Sequence, residues 1–119
     1  MIFAFVEGGT LEIYETAGEA IQRHEGLDVE SGTVRFYDEA GVHLEPRFST
    51  PNRKGNLLGL FGWVNSGVYE LVANPQAGED SFALALYETA TLVPNPWFAS
   101  IAKLKADLAA RGVEVEYRP

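Results

Sequence analysis

The order of apolar and polar residues divides the chain into short alternating runs broken by glycine, with one long segment of helical period. IFAFV at 2–6 is a continuous apolar run rich in aromatic and β-branched residues, the pattern of a buried strand. A Gly8–Gly9 turn follows, and TLEIYE resumes with Leu11 and Ile13 on one face and Glu12 and Tyr14 on the other. Thr16 and Glu19 have the spacing of a capping box, in which hydroxyl and carboxylate satisfy free amides at a helix start. A short helix is predicted next, with Ala17, Ala20, Ile21 and His24 along one face and Gly26 as its stop. Two alternating runs then flank Glu39, Ala40 and Gly41. A three-residue loop with Gly41 left-handed sets Asp38 opposite Val42, Tyr37 opposite His43 and Phe36 opposite Leu44. That register gathers Val34, Phe36 and Leu44 on one side.

The same turn chemistry recurs at Asn65, Ser66 and Gly67, predicting a second hairpin in which Trp63 faces Tyr69 and Phe61 faces Leu71. The STPNRKGN stretch before it reads as a polar loop. Residues 81–92 (SFALALYETATL) satisfy two patterns: composition, with Asp80 as a cap, favours a helix, whereas alternation of Phe82, Leu84 and Leu86 favours a strand. The helical reading is preferred. PNPWFASIAKLKADLAARG has Asn95 as cap, Pro96 as first residue and a stripe of Trp97, Ile101, Leu104 and Leu108, closed at Arg111 and Gly112. Phe98 is expected to pack beneath the PNP turn or against a strand, with a surface contact as the alternative. VEVEY then alternates as a last strand, with Val113, Val115 and Tyr117 inward. The expected architecture is a single α+β domain over 1–119: a mainly antiparallel sheet built from β-hairpins, with two or three helices packed on it.

Charge changes this picture. The formal net charge is −8, and ten of the seventeen acids but only three of the nine bases lie in residues 1–49. Between residues 7 and 30 there are seven acids and one arginine. Such a field repels nucleic acid and anionic membrane surfaces, and steers a basic protein inward. The chain has no cysteine, which suits a reducing cytoplasm and leaves no thiolate chemistry. MIFAFVEGG carries no basic leader, so neither a signal peptide nor a membrane anchor is expected.

Little in the chain has the pattern of reactive chemistry. His24 and His43 sit on different elements without metal-ligand spacing, and no run of carboxylates has the calcium-loop pattern. The glycines at 55, 59 and 62 are followed by no lysine–serine pair, so no phosphate cradle is formed, and Ser66 lacks the frame of a nucleophile elbow. The pairs His43 with Glu45 and Glu114 with Glu116 fall on polar faces of strands. No catalytic set, metal or cofactor is expected.

From Tyr14 to Leu44 the chain runs Y-E-T-x3-A, then E-G-L-D-V-E-x-G, then F-Y-D-x2-G-x2-L. This resembles a group of small bacterial proteins found beside polymorphic and contact-dependent toxin genes, several of which are regarded as cytoplasmic immunity proteins. The resemblance implies a non-catalytic, cytoplasmic protein that binds a toxin domain and blocks it, a nuclease being one such toxin. It carries no functional residue across. Charge supplies the candidate surface instead: Glu12, Glu15, Glu19, Glu25, Asp28 and Glu30 flank the first helix and its entering strand and form the expected partner-binding patch. The partner expected there is a basic protein. A secretion adaptor or chaperone is the alternative, and a small enzyme or ligand carrier the third reading.

Overall fold

Why the first apolar run is unbroken is plain from its place in the fold. In the computed structural model, which describes residues 1–24, 29, 32–48, 53–57, 61–65, 69–75 and 82–117, strand β1 (Ile2–Val6) lies inside the sheet and is covered on both faces. It pairs antiparallel with β2 (Thr10–Tyr14) on one side and β3 (Val34–Asp38) on the other. With β4 (His43–Phe48), β7 (Tyr69–Ala73) and β8 (Thr91–Leu92) these form a six-stranded sheet in the order β7-β4-β3-β1-β2-β8. Only the two-residue β2–β8 pairing is parallel. The fold is α+β.

Alternation along the strands divides the core in two. Phe3, Leu11, Ile13 and Tyr37 face one way and pack with Phe82 and Leu86 of α2 (Phe82–Tyr87) and Leu104 and Leu108 of α3 (Ile101–Ala110). Ile2, Ala4, Val34, Phe36 and Leu44 face the other way, against Ala20 of α1 (Ala17–Arg23) and Tyr69 of β7. Two helices therefore cover the first face and one covers the second. Each large side chain withdrawn from water in these layers contributes about 1.5–3 kcal/mol.

Local signals hold where the chemistry is short-range. Gly41 adopts φ 80° in the β3–β4 turn, and the Asp38 carboxylate accepts from the amides of Ala40 and Val42 at 2.9 Å each. Phe36 faces Leu44 and Tyr37 faces His43, the register that loop requires. At α1, the Thr16 hydroxyl accepts from the Glu19 amide at 3.2 Å. Thr16→Ala should lower stability by about 1 kcal/mol in denaturant titration, with Thr16→Ser close to neutral; equal losses for both would assign the effect to something other than the cap. At the far end of α3 the amides of Gly112 and Val113 bond to the carbonyls of Ala109 and Leu108, the paired bonds of a Schellman stop.

Long-range pairing departs from expectation. The predicted partnership of 61–65 with 69–73 is replaced: β6 (Phe61–Asn65) pairs with β5 (Arg53–Leu57) in a separate two-stranded sheet, and β7 pairs with β4. The second half of the stretch read as a polar loop is thus in strand β5, while its first half and the turn residues Ser66 and Gly67 lie outside the described residues. The physical reason is the edge that β4 offers. Its register puts Leu44, Pro46 and Phe48 opposite Ala73, Leu71 and Tyr69, three apolar pairs on the α1 face, and buries Tyr69.

The ambiguous 81–92 segment resolves into both forms, helix α2 and then β8; Asp80, the expected cap, lies outside the described residues. The later helix starts at Ile101, capped by Ser100, rather than at Pro96. The VEVEY tail keeps its alternation, with Val115 buried, but pairs with no strand among the described residues. Val115 packs on the helical face of the sheet and Tyr117 against the Tyr87 ring at 5.4 Å, so side chains rather than a ladder hold the tail.

Candidate functional site

The even positions of β2, Glu12 and Tyr14, project towards the face that α1 covers. Because Thr16 caps a helix immediately after the strand, the chain folds back and its C-cap residue, His24, returns to the same side chains. The Tyr14 hydroxyl donates to Glu12 Oε2 at 3.0 Å. His24 Nε2 lies 3.3 Å from that hydroxyl and 3.5 Å from Glu12 Oε1. Since the single phenolic proton is already given to Glu12, the proton of this nitrogen must point at the two oxygens. The imidazole stands edge-on to Tyr14 and Phe36, with centroids at 5.9 and 5.6 Å, and its backbone carbonyl accepts from the Tyr69 hydroxyl at 2.9 Å. Strand, helix end and β7 are thereby tied together at one point.

Burial pushes the Tyr14 phenol up to about 12, helped by the charge and hydrogen bond of Glu12; burial alone does the same for Tyr69, also to about 12. Tyr14 thus keeps its proton at neutral pH and holds Glu12 in place. The folded chain retains phenolic protons that the unfolded chain releases near 10. Stability from these groups is therefore fully present below pH 10 and is lost as pH rises through about 12. In a spectrophotometric titration, Tyr14→Phe and Tyr69→Phe should each shrink the ionisation step near 12. A step near 12 of unchanged size would contradict these assignments.

Next to this lock lies a groove of about 520 Å³. Glu12 and Tyr14 form its floor, Glu19 and Arg23 of α1 one wall, and Val93, Pro94, Pro96 and Trp97 the other. Trp97 is 37% exposed, and the expectation that it continues the buried stripe of the last helix is overturned. Asn95 is the cause. Its Oδ1 accepts from the amides of Trp97 and Phe98 at 3.0 and 2.7 Å, and its Nδ2 donates to the Val93 carbonyl at 3.0 Å. This turn sends Phe98 into the core, its ring 6.3 Å from Phe3, and leaves the neighbouring indole outside.

Of the residues expected to bind a partner, Glu12 and Glu19 come together in this groove and Glu15 is exposed at the start of α1. Glu25, Asp28 and Glu30 lie outside the described residues. Sequence reasoning missed Tyr14, whose place beside Glu12 depends on the helix folding back, and Trp97, whose exposure the Asn95–Pro96 pair signalled. A second cavity of about 440 Å³, at the β1–β2 loop, is lined by Gly8, Gly9, Glu7, Arg35 and Glu88, with charge of both signs.

Among the described residues, no group of three or more His, Cys, Asp or Glu side chains is placed to hold a metal ion, and no helix is long and apolar enough to cross a membrane. No family model matches the chain, and neither a curated protein nor a solved structure is significantly similar to it.

Proposed function

We propose that this chain is a non-catalytic binding domain that neutralises a basic toxin domain by direct contact in the cytoplasm, as an immunity protein does. The observation that carries this reading is the convergence of Glu12 and Glu19 with the half-exposed Trp97 in one groove. Carboxylates draw a cationic surface in and hold it, and an exposed indole is the residue type most enriched where binding energy concentrates. A toxin that acts on nucleic acid carries cations for phosphate, so an acidic inhibitor competes for the surface its substrate needs. The net charge of −8, concentrated in the first half of the chain, supports the same direction.

Affinity capture of the tagged protein from its own cells tests this reading. The expected result is a larger protein with a basic domain, retained at low salt and released as salt rises. Recovery of secretion components instead would favour the adaptor or chaperone alternative, and retention of nothing at low salt would contradict protein binding.

A further inference from the structure

The floor of the groove is an unfinished sheet edge. On β1, the Glu7 amide bonds to the Thr33 carbonyl, so odd-numbered residues direct their backbone groups to β3 and even-numbered ones to β2. The register Ala4↔Glu12 then turns the even-numbered backbone groups of β2 towards β1 and its odd-numbered ones towards β8. The bonds agree: the carbonyl of Gly9 accepts from the Thr91 amide and that of Leu11 from the Val93 amide, both on the β8 side.

Ile13 is next in this series, and the ladder stops before reaching it. The Val93 carbonyl, which would accept from the Ile13 amide if the pairing continued, accepts from the Asn95 side chain instead. Pro94 follows, with no amide to give, and Pro96 lies two residues on. Among the described residues none bonds to the Ile13 amide or carbonyl on this side, although Ile13 is only 8% exposed and lines the groove. Backbone groups so placed are the ones an added strand satisfies.

We propose that this edge is a strand-addition site, at which an extended segment of a basic protein partner pairs with β2 at Ile13 where β8 leaves off, placing a lysine or arginine side chain against Glu12 and Glu19 beside the Trp97 ring. The inference rests on the reading of the partner as basic and names how it is gripped. Main-chain bonds to Ile13 supply register, while the carboxylates select a cation and the exposed indole offers it a π face. Arg23 on the α1 wall repels a second cation, so the groove suits alternating basic and apolar residues better than a polybasic run. A second copy of this chain fits poorly, because β2 pairing with β2 sets Glu12 and Glu19 against their own counterparts.

The test is an NMR titration of the ¹⁵N-labelled full chain with an end-blocked peptide of alternating valine and arginine. Two controls accompany it: the same peptide with an N-methylated backbone, and one with glutamate replacing arginine. The expected result is saturable binding that moves the Ile13 amide and slows its hydrogen exchange by about tenfold or more. Both controls should fail, and Trp97→Ala and Glu19→Gln should each weaken binding by about three- to tenfold. No saturable binding, equal binding of the N-methylated peptide, or binding that leaves Ile13 unchanged would overturn strand addition. Protection of Ile13 that rises with protein concentration alone would overturn it in favour of self-pairing. A captured basic partner whose complex leaves Ile13 exchange unaltered sinks this inference and leaves the proposed function standing; failure to capture any basic protein sinks the function itself.

Discussion

Replacing Phe3 with alanine is expected to remove about 3–5 kcal/mol of stability, a large part of the 5–15 kcal/mol typical of a folded domain. Phe3 is fully buried on the central strand, and its ring meets Phe82 edge-on at 5.4 Å and Phe98 at 6.3 Å. Those contacts join β1 to α2 and to the turn before α3, so the cavity left by alanine opens between three elements held by different parts of the chain. Backbone pairing to β2 and β3 on both sides of β1 fixes the strand and limits how far the walls can collapse. Denaturant titration checks this through a lower midpoint with an unchanged slope. Tyr87→Ala is the contrasting case. That ring is 62% exposed, and its loss should cost no more than about 0.5 kcal/mol. A loss below about 1 kcal/mol for Phe3→Ala would mean that the two-sided core is wrongly drawn.

The features legible in the sequence were those decided within a few residues. The Thr16 cap, the left-handed Gly41 and the Arg111–Gly112 stop each have a local cause, and each stands where expected. Pairing between distant segments was not legible, because hairpin chemistry at Asn65–Gly67 states a local preference while β4 presents a longer apolar edge to β7. The end of the chain makes a related point: alternation at 113–117 reports burial of one face, and it does so with or without a neighbouring strand. Charge singled out Glu12 and Glu19, which line the candidate groove, but charge alone does not describe a groove. The groove depends on Asn95 turning Trp97 outward and on α1 returning His24 to Glu12, which are tertiary consequences of two local caps.

Reversing Glu15 and Glu19 together to lysine should slow association with a basic partner by about 10- to 100-fold at low ionic strength. Both side chains are exposed, so the fold is not at stake beyond about 0.3–1 kcal/mol for a cation placed in the first turn of α1. Glu12 is left unaltered because it is bonded to Tyr14 and paired with His24, and its loss would mix a folding effect into the binding effect. The corresponding reversal of Glu114 and Glu116, both exposed on the tail, changes net charge equally at another place. The two double variants therefore separate a local patch from a general field.

The direct measurement is the association rate of each double variant with the captured basic partner, taken across a range of salt. The account predicts that the Glu15/Glu19 variant loses most of the electrostatic acceleration and becomes nearly independent of salt, while the Glu114/Glu116 variant stays within about threefold of the parent chain. Equal slowing of both variants, or of neither, would contradict a binding face built on β2 and α1.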